Sequence, residues 1–275
     1  MPFENWPLHA FDTGTSAQPL SIHVFSKHLQ FLDLKTAAQI AVELGFDGLD
    51  LTVRPKGHVL PANVRKDLPQ AIRDIKSSGS NCEMITTAVS DVSNASDVDT
   101  VKIAASEGVK FYRSNWFKYK DGVTLEASLD YYAEKVGQLS ELNKEHNIIG
   151  CYQNHSGTSI GASIWEVKKV LEFADPEFFG AQYDIRHAVA EGGRSWPNGV
   201  KLIQDRIKTI VLKDFKWGKG NGKWQPVNVP IGEGMVDFTG SYKLLKSFGL
   251  NPPASLHLEY PLGGAEKGQY SITTD

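Results

Sequence analysis

The chain has 275 residues, of which 41% are hydrophobic and 22% are charged, with a formal net charge of −3 and a pI of about 6.2. This composition is that of a globular protein with enough apolar material for a sizeable core, and it fits either one α/β barrel or two small domains. The acidic balance argues against a nucleic-acid partner, and the lack of a long apolar run argues against a membrane partner.

The first twenty residues and the cysteines indicate the compartment. The first twenty residues lack a basic start followed by an apolar stretch, so we expect no signal peptide and a cytoplasmic location. Cys82 and Cys151 lie in apolar, strand-like runs, which predicts buried thiols in a reducing compartment rather than a disulfide.

Eight short apolar runs alternate with longer amphipathic segments. The predicted strands are 21–25, 47–53, 82–87, 109–113, 148–153, 178–184, 208–213 and 255–260. Their starts lie 26 to 47 residues apart, which is the spacing of repeated βα units.

Between the strands, apolar residues recur at helical spacing. The predicted helices are 34–44, 67–78, 124–146, 161–173 and 237–248, and Gly45 and Gly79 are predicted to stop the first two. The segment 215–236 shows no clear secondary structure, so we interpret it as a loop over one end of the sheet.

Near-continuous apolar strands that alternate with helices imply a parallel sheet that is buried on both faces. Eight such units favour closure into a single (β/α)₈ barrel, with residues 1–275 forming one domain. The alternative is an open, doubly wound sheet, which is weakened by the lack of a GxGxxG motif after the first strand.

Each predicted strand becomes polar where it ends, and in a parallel barrel all of these ends lie at one rim, where barrel enzymes have their active sites. The polar strand ends are Ser26-Lys27-His28, Thr52 and Arg54, Thr86-Thr87, Arg113-Ser114-Asn115, Gln153-Asn154-His155, Asp184 and His187, Lys213-Asp214, and Glu259. Three tryptophans in adjacent loops, Trp116, Trp217 and Trp224, would supply apolar surface for the C–H faces of a sugar-like ligand.

Side chains alternate between the two faces of a strand, so the parity of each strand predicts which polar groups meet inside the barrel. Parity places Gln153, Asp184, Lys213 and Glu259 in one volume. The carboxylates of such a group could hold a divalent metal ion or act as acid and base.

Six segments of the chain resemble the xylose isomerase-like superfamily of sugar isomerases and epimerases, which also includes inosose dehydratases and endonuclease IV-type proteins. The segments are LGFDGLDL (44–51), YQNHSG (152–157), YDIRHA (183–188), IVLKD (210–214), IGEGMVDF (231–238) and HLEYP (257–261).

The resemblance implies a site for Mn²⁺, Mg²⁺, Co²⁺ or Zn²⁺ with Glu, Asp, His and Glu ligands on strands 5 to 8. Asp184 and Glu259 match two of these positions, but Gln153 and Val211 stand where the family has Glu and His. We therefore expect weak metal binding, by Gln153, Asp184 and Glu259, with His155 or His187 as substitute ligands.

The resemblance also implies proton transfer by the carboxylates of strands 5 and 8, and the amide of Gln153 cannot take a proton. The remaining prediction is chemistry with Glu259 or His155 as the base, while Lys213 or a metal stabilises an enolate. This predicts an isomerase or epimerase that acts on a sugar or keto-sugar, with a dehydratase or lyase as the alternative.

The small sugar substrate is expected to contact several further side chains at the rim. The predicted substrate contacts are His187, Arg113, Trp116, Asn154 and His58, and Arg54 could bind a hydroxyl or a phosphate. A sugar-binding barrel without catalysis is a rival, whereas phosphodiester cleavage would need more metal ligands than the sequence offers. The oligomeric state, a homo-oligomer included, is left open.

Overall fold

Eight parallel strands form a closed barrel in the computed structural model, which describes residues 19–273. Residues 1–18, on which the expectation of no signal peptide rests, lie outside that range. Each barrel strand pairs in parallel with two neighbours, and the last barrel strand closes the ring by pairing with the first. This closure confirms the predicted (β/α)₈ barrel and excludes the open-sheet alternative.

The strands coincide closely with the predicted apolar runs. They are β1 (Ile22–Phe25), β2 (Gly48–Val53), β3 (Asn81–Thr87), β4 (Phe111–Arg113), β5 (Ile149–Gln153), β6 (Phe179–Asp184), β7 (Ile207–Leu212) and β10 (Ala254–Leu256). The last strand ends earlier than predicted, so Glu259 lies on the segment that follows β10 and not on the strand itself.

Eight α-helices surround the barrel within the described residues. They are α1 (Leu34–Glu43), α2 (Val64–Ser77), α3 (Ala95–Ser106), α4 (Leu125–His146), α5 (Ile164–Val170), α6 (Ile185–Gly192), α7 (Trp196–Ile203) and α8 (Phe238–Ser247). The five predicted helices are present, and α3, α6 and α7 are additional. Gly45 and Gly79 follow α1 and α2 with φ of 84° and 80°, the left-handed conformation that ends a helix and favours glycine.

The segment 215–236 is not an unstructured loop, and that prediction is wrong. Strands β8 (Asp214–Gly220) and β9 (Lys223–Val229) form an antiparallel hairpin. Its Trp217 and Trp224 side chains are 45% and 67% exposed, and neither lines the cavity at the barrel mouth. Only the base of the hairpin adjoins the barrel mouth, through Asn228, which donates to the Glu259 carbonyl oxygen.

The main apolar core lies between the strands and the helices, where Leu49, Leu51, Ile72 and Ile85 are fully buried. The barrel interior is polar instead. Asp50 accepts hydrogen bonds there from Thr86 and Ser255. A buried carboxylate must be hydrogen-bonded, and this layer forms a floor beneath the rim.

Cys82 and Cys151 are both free and buried, as predicted. Burial raises the pKa of each thiol to about 12, so neither is a reactive thiolate near neutral pH. No helix among residues 19–273 is long and apolar enough to cross a membrane.

Candidate active site

A cavity of about 230 Å³ opens at the carboxyl ends of the barrel strands. Its lining residues come from six barrel strands or the segments that follow them. They are Phe25, Lys27, Arg54, Arg113, Trp116, Gln153, His155, Lys213, His257 and Glu259. Two larger grooves, of about 530 and 490 Å³, lie around Trp165 on the outer helical layer.

Lys213 connects the two carboxylates that the sequence predicted to meet. Its Nζ atom lies 3.1 Å from Asp184 Oδ2 and 3.3 Å from Glu259 Oε2, and it is 2.7 Å from His187 Nε2. An ammonium group has three N–H donors, so each can point at one of these acceptors. A fully bonded ammonium is a fixed positive charge and is not available as an amine nucleophile. The predicted convergence of these side chains is confirmed.

Both carboxylate oxygens of Asp184 accept hydrogen bonds. It is the last residue of β6 and the N-cap of α6, and its Oδ1 accepts the His187 backbone N–H at 3.1 Å. Its Oδ2 accepts from Gln153 Nε2 at 2.8 Å as well as from Lys213. The carboxylate is therefore buried, charged and compensated, and it holds Lys213 in place.

Gln153 joins Asp184 to Arg113 across β5. Its amide nitrogen donates to Asp184, so its carbonyl oxygen faces the other way and accepts from Arg113 Nη1 at 3.2 Å. The Arg113 guanidinium also lies 4.2 Å from the centre of the Trp116 ring. Arg113 and Trp116 thus form one wall of the cavity.

Glu259 is surrounded by basic groups. Its Oε1 lies 3.5 Å from Lys27 Nζ and 3.7 Å from His257 Nδ1, while its Oε2 faces Lys213. Burial alone would raise the pKa of Glu259, but the ammonium groups of Lys213 and Lys27 outweigh burial and hold the pKa well below its usual range. Glu259 is therefore ionised, but the same ammonium groups make it a weak base until they also stabilise a substrate oxyanion.

The histidines at the rim are neutral near pH 7. Burial lowers the pKa of His155, and the charge of Lys213 lowers it further. Burial and Lys213 also lower the pKa of His187. The Nδ1 atom of His155 lies 2.9 Å from the Ser156 carbonyl oxygen, which can only accept, so Nδ1 carries the proton and Nε2 presents a lone pair. The His155 ring packs between Trp116 and His187, with centroids 4.5 and 4.0 Å away.

Three residues that were predicted to contact substrate do not line the cavity: His187, Asn154 and His58. His187 lies behind Lys213 and bonds its ammonium group. Asn154 is buried, with its amide bonded in both directions to the Asp184 backbone at 2.7 and 2.9 Å. His58 lies behind the rim, and its Nδ1 bonds with the Ser26 and Thr52 hydroxyls. Asn154 therefore links β5 to β6, and His58 holds the loop after β2 in place.

Three cavity residues were absent from the predicted site: Phe25, Lys27 and His257. Arg54 was predicted as a contact for a hydroxyl or a phosphate, and it does line the cavity. Lys27 lies just after β1, Arg54 just after β2, and His257 just after β10. The polar strand-end pattern contained Lys27 and Arg54, and parity placed His257 with Glu259. What the sequence could not supply was the ion pair between Lys27 and Glu259, which depends on closure of β10 against β1.

The residues present do not fit the four-ligand divalent metal site. The ammonium of Lys213 lies between Asp184 and Glu259, where a cation would bind. Val211 is in register with Asp184 and has no donor atom, and the Gln153 carbonyl oxygen is taken by Arg113. Within residues 19–273, no group of three or more His, Cys, Asp and Glu side chains is arranged to hold a metal ion.

The protein is a closed (β/α)₈ barrel with a charged cavity at the carboxyl ends of its strands. This is where barrel enzymes have their active sites. The family model described as "Xylose isomerase-like TIM barrel" matches residues 38–272. The chain belongs to this family.

Several solved structures are similar in fold. The IOLI protein with a bound zinc atom aligns with a TM-score of 0.72 and 14% identity, covering 90% of this chain and 91% of that one. The probable 3-DHS dehydratase AsbF of Bacillus anthracis aligns with a TM-score of 0.67 and 14% identity, covering 86% and 92%. A D-tagatose 3-epimerase-like protein aligns with a TM-score of 0.65 and 16% identity, covering 90% and 94%.

Curated relatives match only a part of the chain. An inosose dehydratase of Mesomycoplasma hyopneumoniae (strain 7448) is 35% identical over 89 residues, which are 32% of this chain and 29% of the relative. A putative L-ribulose-5-phosphate 3-epimerase of Escherichia coli (strain K12) is 38% identical over 88 residues, 32% of this chain and 30% of the relative. The matched segment therefore spans less than a third of either relative's length.

Proposed function

We propose that this protein is a sugar isomerase or epimerase-type enzyme that removes a proton from the carbon next to the carbonyl group of a keto-sugar. The observation that carries the proposal is the ionised Glu259 carboxylate, which lines the cavity with the Lys213 ammonium 3.3 Å away. One group supplies the base and the other supplies the positive charge that enolisation needs.

In the proposed reaction, Glu259 takes the carbon-bound proton while the electron pair of that C–H bond moves to the carbonyl oxygen as an enolate. Negative charge thereby passes from the carboxylate to the substrate oxygen. Lys213 and Lys27 both border Glu259, so their ammonium groups can follow that charge without a large movement. Isomerisation is completed when the hydroxyl proton on the deprotonated carbon moves to the enolate oxygen and Glu259 returns its proton to the former carbonyl carbon.

His155 is the proposed second proton-transfer group. It is neutral, it lines the cavity, and its Nε2 lone pair is not used by the Ser156 contact. Gln153 occupies the position of the family's second carboxylate and cannot exchange a proton, so a symmetric two-carboxylate epimerisation is not proposed. His187 and Asp184 hold Lys213 and have no direct proton-transfer role in this scheme.

A dehydratase is the second candidate function. It shares the first step, but the enolate then re-forms the carbonyl group and expels a hydroxyl group from the next carbon. The hydroxyl departs as water with the proton that Glu259 removed, relayed by His155. The replacement of one carboxylate by Gln153 favours this variant, because dehydration does not need two matched bases. The partial match to an inosose dehydratase is in line with it.

The proposal is tested by solvent-hydrogen exchange. The protein is incubated with a panel of keto-sugars in D₂O, and deuterium at the carbon next to the carbonyl is followed by proton NMR. We expect exchange with the wild-type protein and a loss of roughly 100-fold or more with Glu259→Gln, the range for removal of a general base. Glu177→Gln, at an exposed position on the outer layer, is the matched control. Equal exchange by Glu259→Gln would remove Glu259 from the mechanism and favour a barrel that only binds sugar.

A further inference from the structure

The cavity carries more positive than negative charge. Four of its lining side chains are cationic, Lys27, Arg54, Arg113 and Lys213, and Glu259 is the one anionic side chain among the lining residues. The two lysines are paired, since both approach Glu259 and Lys213 also approaches Asp184. Among residues 19–273, neither arginine has a carboxylate within 4.0 Å. The excess charge in the cavity therefore belongs to Arg54 and Arg113.

Arg113 is almost completely buried, at 4% exposed, and is not fully bonded. Its Nη1 donates to Gln153 and its Nη2 lies 3.5 Å from the Thr87 carbonyl oxygen, while its buried Nε has no hydrogen-bond partner. Burial, together with the like charge of Arg54, lowers the pKa of Arg113 to about 9. A desolvated guanidinium whose hydrogen-bond partners are all neutral lacks the directly bonded counter-charge that buried cations normally have.

Arg54 follows β2 and reaches the same cavity. Its guanidinium lies 5.4 Å from the centre of the Phe25 ring and makes no hydrogen bond to the described part of the chain. Asp50 and Glu259 act on both arginines through space, but the Asp50 oxygens accept from Thr86 and Ser255, and the Glu259 oxygens face Lys27 and Lys213. Two guanidinium groups thus face one cavity with free donors.

The order of the strands around the barrel, β1-β10-β7-β6-β5-β4-β3-β2, shows where these arginines lie relative to Glu259. β4 is four strands away from β10 in both directions around the ring, so Arg113 lies across the cavity from Glu259. β2 is two strands from β10, and Arg54 therefore lies between them on one side. A ligand held by both arginines would extend across the cavity toward Glu259 and Lys213.

We propose that Arg54 and Arg113 form a subsite for an anionic substituent of the substrate, a carboxylate or a phosphate group. Guanidinium groups bind such oxyanions through paired, charge-assisted hydrogen bonds, whereas a sugar hydroxyl cannot compensate the charge. The inference rests on the proposed function for its orientation: the anion is fixed at one side so that the carbon next to the carbonyl faces Glu259. It narrows the substrate class from keto-sugars in general to keto-sugar acids or keto-sugar phosphates.

The experiment is a calorimetric titration of the full chain with three probes: neutral D-fructose, D-fructose 6-phosphate and 5-keto-D-gluconate. We expect at least one of the two anions to bind ten-fold or more tightly than D-fructose, and the anion that does so identifies phosphate or carboxylate as the group recognised. Arg54→Gln is expected to remove this preference. Arg73→Gln, an exposed arginine on α2, is the matched control and should leave it unchanged.

Two results would overturn the subsite. One is that neither anion binds more tightly than D-fructose to the wild-type protein. The other is that Arg54→Gln retains the full preference for the anion. Arg113→Gln is used with a urea-unfolding control, because the buried position makes it the variant more prone to misfold. Anion binding without any exchange of carbon-bound hydrogen would uphold the subsite and count against the proposed function, so the two failures are distinguishable.

Discussion

The Nζ atom of Lys213 lies 3.1 Å from Oδ2 of Asp184, and both side chains are almost fully buried. Asp184 is in register with Val211, where the family resemblance led us to expect a histidine ligand, and Lys213 is two residues further along. A side-chain ammonium therefore provides the positive charge at the point where two family carboxylates meet. We expect the stability of the site, its poor fit to a metal ion and its proposed chemistry all to depend on this pair.

Removal of the Lys213 charge is expected to destabilise the fold. Lys213→Met leaves Asp184 and Glu259 without their shared cation, and breaking a buried ion pair costs about 3 to 5 kcal/mol of unfolding free energy. The measurement is urea unfolding near pH 7.5. Lys216→Met, at an exposed position on the β8–β9 hairpin, should change the unfolding free energy by less than about 0.5 kcal/mol. Equal stability of the two variants would mean that Lys213 and Asp184 are not paired in solution.

Restoring the family ligands is expected to create metal binding. The double variant Gln153→Glu/Val211→His adds a carboxylate and an imidazole next to Asp184 and Glu259, which gives the ligand types that divalent transition metals prefer. We expect it to bind about one Mn²⁺ or Zn²⁺ per chain by calorimetry, and Gln153→Glu alone to bind more weakly. Wild-type protein is expected to bind neither metal with comparable affinity. A wild-type protein that is purified with one tightly held metal per chain would contradict this interpretation.

Stability is expected to decrease as the pH falls below 6.5. Burial lowers the pKa of His28 and His58 to about 4 and that of His257 to about 3. The unfolded chain takes up a proton at each of these residues below about pH 6.5, but the folded chain does not until the pH approaches these lower values. Each of these histidines therefore lowers the free energy of unfolding by up to about 1.4 kcal/mol for every unit that the pH falls between 6.5 and its folded pKa.

Urea unfolding at pH 6.5 and 5.0 measures this slope. His28 accepts the Leu258 N–H at Nε2, and its protonation would break that bond next to Glu259. His28→Gln should reduce the slope, because one of the neutral buried histidines is then missing. The same unfolding free energy at both pH values would show that these histidines are already charged in the folded state or are not buried.

The barrel was predictable because strands that are buried on both faces appear as continuous apolar runs, such as 47–53 and 178–184. Parity was sufficient to bring Gln153, Asp184 and Lys213 together. Helix α3 was missed because its apolar stripe is weak. The hairpin was missed although Asn221-Gly222, with φ of 51° and 76°, is a sequence signal for a two-residue turn.

The remaining site geometry depends on tertiary contacts that no local pattern encodes. Asn154 was predicted to bind substrate, but both groups of its amide are bonded to the Asp184 backbone on the adjacent strand. The direction of the Gln153 amide depends on Arg113, 40 residues earlier. The identities of Gln153 and Val211 were enough to argue against a metal site from the sequence. The position of Lys213 between the two carboxylates became evident only from the closed barrel.

Chelation tests most directly whether Lys213 or a metal ion provides the positive charge for proton abstraction. Wild-type protein is dialysed against EDTA, and its solvent-hydrogen exchange on the best keto-sugar is compared with that of untreated protein and of folded Lys213→Met. We expect chelation to leave the exchange rate unchanged, while Lys213→Met lowers it by roughly 100-fold or more, as for the loss of a preorganised electrostatic contact. Loss of exchange on chelation and its recovery on addition of Mn²⁺, with Lys213→Met still active, would contradict the assignment.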